Sequence, residues 1–152
     1  MNNTAFFGFE TDFVDSLRCI PMIVRMKLDT CGVKLKLEHW NQFSEAEKQA
    51  LVEKPCSSVA EADSYRQWLQ NLIIKKTGNP AKELEIDPHP EWLNENQIPD
   101  AVQTKAGECE LCLTSQQWSN LTPSQRFALI KLSRPSHENR NFVPALKEFG
   151  II

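Results

Sequence analysis

Residues 118–150 read W-S-N-L-T-P-S-Q-R-F-A-L-I-K-L-S-R-P-S-H-E-N-R-N-F-V-P-A-L-K-E-F-G, and the way this run folds decides the class of the whole chain. Thr122 and Gln125 have the spacing of a capping box, in which the hydroxyl and the amide each satisfy a backbone N–H that the first helical turn leaves without a partner. Pro123 suits the first helical position. Phe127 and Ile130, flanked by Ala128 and Leu129, then give an apolar face at helical spacing, and Ser133-Arg134-Pro135 ends it. Residues 136–141 contain no aliphatic side chain and no Phe, Tyr or Trp. A second stripe follows at Phe142, Leu146 and Phe149, with Asn141 as the expected cap and Gly150 as the left-handed stop. The reading is two core helices joined by one polar loop.

The same grammar occurs earlier. Trp40, Phe43, Ser44, Glu47 and Ala50-Leu51 reappear 78 residues on as Trp118, Leu121, Thr122, Gln125 and Ala128-Leu129. Gly32 and Gly107 open the two stretches. The repeat predicts a mainly α bundle built from two similar helical hairpins. Between Gly and Trp, residues 33–37 and 109–113 alternate apolar with polar side chains, which suits them to pairing as a short two-stranded ribbon.

Elsewhere the helix signals are plain. Phe6, Phe9, Phe13, Leu17 and Ile20 fall on one helical face. Pro21 then opens a helix from Met22 to Cys31 that Gly32 closes and whose apolar side chains cover most of its circumference, as expected of a central element. Ser58 and Glu61 cap a long helix that ends at Gly78. Residues 78–107 form a Pro-rich connecting belt, with Leu84, Ile86, Trp92, Leu93 and Ile98 as expected anchors on the core and one short helix beginning at Pro99.

Composition narrows the function. The 152 residues are 41% hydrophobic and 24% charged, with a net charge of −3. This length supports one domain, 1–152, with a core of its own. The negative balance argues against a nucleic-acid binder, which needs clustered Lys and Arg, and Arg126 with Lys131 gives a helix-turn-helix little to read DNA with. No run is apolar enough to span a bilayer, and the first residues lack the plan of a signal peptide, so the expected location is the cytoplasm. Five cysteines, an odd number, then read as reduced thiols. Cys109 and Cys112 have the only metal-like or redox-like spacing. A zinc site would need two more ligands, and His39, His89, His137 and Cys56 are scattered. A small metal- or thiol-redox protein using Cys109 and Cys112 is the alternative this pair supports.

Two segments, Phe6–Gly32 and Gln125–Gly150, resemble the nitrate reductase associated protein family of cyanobacteria and other bacteria, and the similarity fades in the Pro-rich belt. Arg18, Cys19, Pro21, Arg126, His137, Glu138, Asn139 and Asn141 match its motifs. The resemblance implies a non-catalytic accessory protein of nitrate assimilation whose partner is nitrate reductase, a molybdenum-cofactor and iron–sulfur enzyme, or a maturation intermediate of it. It brings no catalytic residues and no cofactor of its own. His137, Glu138 and Arg140 offer acid, base and anion-clamp groups, but as neighbours in a loop without a nucleophile they suit recognition better than catalysis. The candidate contacts are therefore Arg18, Arg126, Arg134, His137, Glu138, Asn139, Arg140 and Asn141.

Overall fold

The computed structural model describes residues 7–10, 19–134 and 140–152. Among them are eight α-helices and no strand. They fall into two compact units, Glu10–Asp87 and Phe7–Phe9 with Pro88–Ile152.

In the first unit Pro21, with φ −65° and ψ 155°, sets up helix α1, Met22–Cys31. The buried side chain of Glu10 accepts from the Met22 N–H at 2.9 Å, giving one of the first-turn donors the partner that the helix itself does not supply. Gly32 closes α1 at φ 77°, its N–H and that of Val33 both reaching the Leu28 carbonyl. Short helix α2, Leu37–Trp40, follows, then α3, Glu45–Glu53, and α4, Val59–Thr77. Ser44 with Glu47 and Ser58 with Glu61 form the expected capping boxes. Helix α4 packs on α1 and α2, and Trp40, Leu51, Tyr65, Leu69 and Ile73 fill the space between. Gln70 reaches out of α4 to exchange two hydrogen bonds with the backbone of Ala81, at 2.8 and 2.9 Å.

The second unit repeats this order with α5, Asp100–Glu108, α6, Ser115–Ser119, α7, Pro123–Ser133, and α8, Phe142–Glu148. Pro99 stands before α5 as Pro21 stands before α1, at φ −59°. Val102 and Ala106 are buried where α1 buries Val24 and Leu28. The Leu111 N–H bonds the Ala106 carbonyl as Val33 bonds Leu28. Thr114 with Gln117 and Thr122 with Gln125 are capping boxes. The register of 78 residues therefore runs from the prolines to Leu51 and Leu129. In the fourth helices it slips by one, Tyr65 and Leu69 answering to Phe142 and Leu146.

Several expectations are corrected. The ribbon of 33–37 with 109–113 does not form: Val33 makes an isolated antiparallel bridge with Glu83 instead. Leu37 already belongs to α2, whose start is fixed by the Lys36 N–H donating to His39 Nδ1 at 3.1 Å, and Cys109 caps α5. Alternation over five residues is too weak a signal to outweigh a helix start. The counterpart of Gly32 is Glu110, not Gly107, and Glu110 holds the left-handed conformation at φ 61°. In the second unit the most enclosed helix is α7, with seven of its eleven residues buried. It packs against α5, α8 and the 3₁₀ turn Glu91–Leu93. In the belt the side chains of Leu84, Ile86 and Leu93 are exposed; the ties there include Ala81, the Leu84 N–H, which donates to the Gly32 carbonyl at 2.7 Å, Trp92, whose ring meets Phe127 edge-on at 5.0 Å, and Asn94, whose carbonyl accepts from the Trp118 indole at 2.8 Å. Asn141 precedes α8 without a side-chain cap bond, while Gly150 has the expected positive φ of 78°. Of the helix expected over 6–18, Gly8–Glu10 is a 3₁₀ turn and residues 11–18 lie outside the described residues. In this turn the Gly8 and Phe9 N–H groups donate to the Glu148 carboxylate at 2.9 Å each, and Phe7 and Phe9 pack on Phe149.

Arg126, proposed from sequence as a contact, points inward. It is 5% exposed and donates from Nη1 to the Trp92 carbonyl at 2.8 Å and from Nη2 to the Leu121 carbonyl at 2.7 Å. The guanidinium clips the belt and the α6–α7 turn to α7.

Three substitutions test this arrangement. A Cβ at Gly32 would meet the Leu84 carbonyl oxygen at 2.7 Å in a left-handed conformation, so Gly32→Ala should destabilise by at least about 2 kcal/mol. Glu110→Gly at the equivalent turn should stabilise by about 0.5–1 kcal/mol; denaturant unfolding reads both, and the same sign for the two would refute the shared turn. Arg126→Met leaves two buried carbonyls without a donor and should lower stability by about 2 kcal/mol, with faster amide exchange in the Glu91–Leu93 turn. Stability equal to that of the parent would mean that burying the charge offsets both bonds.

Candidate functional site

Of the sequence-derived contacts, Arg18, His137, Glu138 and Asn139 lie outside the described residues. Arg134 caps the end of α7 in an extended conformation, φ −77° and ψ 149°, and is exposed. Arg140 is exposed and Asn141 half-buried at the start of α8. These three therefore bracket the polar loop, on the last turn of the most buried helix and the first turn of the next. Helices this well anchored hold their flanking residues at fixed positions, which suits recognition.

Cys109 is half-buried at the end of α5, and Cys112 is exposed beyond the Glu110 turn. No group of three or more His, Cys, Asp or Glu side chains that could hold a metal is assembled among the described residues.

The first unit brings together a thiol pair that sequence spacing does not reveal. Cys31 is the last residue of α1, and Cys56 sits in the connection between α3 and α4. Their sulfurs rest against the same turn of α1, Cys56 Sγ 3.6 Å from the Lys27 carbonyl and Cys31 Sγ 3.7 Å from the Leu28 carbonyl. The two thiols also interact with each other. Beside them the Lys27 ammonium donates to the Val52 and Lys54 carbonyls, which fixes it at the C-terminal end of α3 where helical carbonyls lack partners. The Tyr65 hydroxyl donates to the Leu51 carbonyl at 2.7 Å.

Electrostatics divide the pair. The hydrogen bond from Cys31 holds the Cys56 thiol below the ordinary cysteine value despite its burial, and the Lys27 charge assists. The same hydrogen bond, together with burial, pushes Cys31 far up. Burial lowers Lys27 from the usual ammonium value, opposed by Cys56 and Glu53, and raises Tyr65 well above the ordinary phenol. An open cleft of about 280 Å³, lined by Lys54, Pro55, Ala60, Glu61, Ser64 and Tyr65, borders the connection that carries Cys56. The only sequence hint is that Cys31 stands at a helix end and Cys56 in a short connection, where backbone turns can aim two side chains at each other.

No helix among the described residues is long and apolar enough to cross a membrane. Comparison with curated proteins and with solved structures gives no match. Residues 6–149 match the family described as conserved nitrate reductase-associated protein. With the match extending over nearly all of the two helical units, the chain belongs to the conserved nitrate reductase-associated protein family.

Proposed function

We propose that this protein is a cytoplasmic, non-catalytic accessory factor of nitrate assimilation, a single helical domain that binds nitrate reductase or a maturation intermediate of it and supports its activity. The observation that carries this reading is the family match over residues 6–149. A binding rather than catalytic role is supported by the use of the polar side chains in the fold. The capping boxes, Gln70, Gln103 and Arg126 all satisfy backbone groups of the chain itself.

The proposed contact is the polar run 134–141, together with Arg18 from the other segment that carries the family resemblance. Arg134 and Arg140 are its exposed cations, and a guanidinium is the side chain best shaped for bidentate pairing with a carboxylate. The partner surface is accordingly expected to be acidic at this point.

The test is recovery of the reductase on the tagged protein from cells grown on nitrate. The double variant Arg134→Glu with Arg140→Glu should weaken recovery about tenfold, which corresponds to about 1.4 kcal/mol, with helicity unchanged. Undiminished recovery would reject this surface, and no reductase recovered by the parent protein would reject the partner.

A further inference from the structure

The Cys31–Cys56 pair has a geometry that a pair of inert core thiols does not require. Both sulfurs converge on one turn of α1, and a cation is held beside them by two carbonyls rather than left to reach solvent. Access is asymmetric. Cys31 is fully buried, whereas Cys56 retains 8% exposure on a connection that borders an open cleft. Cys56 is thus the residue of the pair nearer to solvent, with Cys31 behind it.

We propose that Cys31 and Cys56 form a dithiol site that a peroxide oxidises to an intramolecular disulfide, clasping α1 to the α3–α4 connection. This inference goes beyond the accessory role and stands whatever the partner. In the first step the Cys56 thiolate attacks a peroxide oxygen; an S–O bond forms, the O–O bond breaks, and hydroxide leaves to take up a proton as water. The sulfenic acid so formed is attacked by the Cys31 sulfur, the S–O bond breaks, and a second water departs with the Cys31 proton. Two thiols and one hydrogen peroxide thus give one disulfide and two waters. Lys27 favours the anionic form of Cys56 in the first step, since a neighbouring cation raises the thiolate fraction. An external dithiol reverses the reaction by exchange.

Cys19 and Cys109 are half-buried and Cys112 exposed, which makes them internal controls. The full-length protein would be treated with equimolar hydrogen peroxide, unfolded, alkylated and mapped by mass spectrometry. The expected result is a cross-link between the Cys31 and Cys56 peptides with loss of two hydrogens, removed by dithiothreitol, while Cys19, Cys109 and Cys112 remain alkylated. The cross-linked protein should also unfold at higher denaturant than the reduced form. In Cys31→Ser the reaction should stop at a sulfenic acid on Cys56, trapped by dimedone. Recovery of Cys31 and Cys56 as alkylated thiols after the other three have been oxidised would overturn the proposal, as would a Cys109–Cys112 link in place of the Cys31–Cys56 link. The mapping of the unsubstituted protein decides the matter even if the variant does not fold.

Discussion

A fully buried tryptophan at the end of a short helix, directly before a capped helix, is the constraint on which each unit depends. Trp40 and Trp118 both have no exposed surface. Each stands three residues before a buried apolar partner, Phe43 or Leu121, and four before the cap, Ser44 or Thr122. Removing such a ring from a core costs about 3–5 kcal/mol, against about 1 kcal/mol for a capping side chain. Ring burial therefore dictates where the capped helix starts, and the box trims its end. The Trp118 indole is tied as well, donating to the Asn94 carbonyl, so the same ring that fills the core holds the belt.

The sequence made the helices legible wherever local chemistry marks both ends. Ser44, Ser58 and Thr122, each with Glu or Gln three residues later, gave the starts, and Gly32, Gly78 and Gly150 gave left-handed ends at the expected places. Reading failed where the deciding partner is distant. Val33 was expected to face 109–113 but bridges Glu83, because nothing in a five-residue alternation names its neighbour. Arg126 looked like a surface cation until the Trp92 and Leu121 carbonyls accounted for it. Leu84, Ile86 and Leu93 looked like anchors by residue type alone, yet are exposed. Glu110 hides the repeat of the α1 turn because a non-glycine residue fills a position where glycine is the usual marker.

The candidate sites divide along the same line. The polar loop 136–141 stands out in the sequence by its lack of aliphatic residues, and Arg134 before it with Arg140 and Asn141 in it flank the end of α7 and the start of α8. The Cys31–Cys56 pair could not be found by spacing, since only the return of α3 along α1 brings the second thiol to the first. Cys109 and Cys112, which spacing favoured, stand on the two sides of a tight turn, one half-buried and the other exposed.

Membership of the conserved nitrate reductase-associated protein family makes the reductase the place to test the proposed accessory role. The most direct measurement is nitrate reductase activity per reductase polypeptide in nitrate-grown cells, compared with and without this protein. The account predicts lower activity per polypeptide when the protein is missing, restored by supplying it. Equal activity per polypeptide in the two cell lines would contradict it.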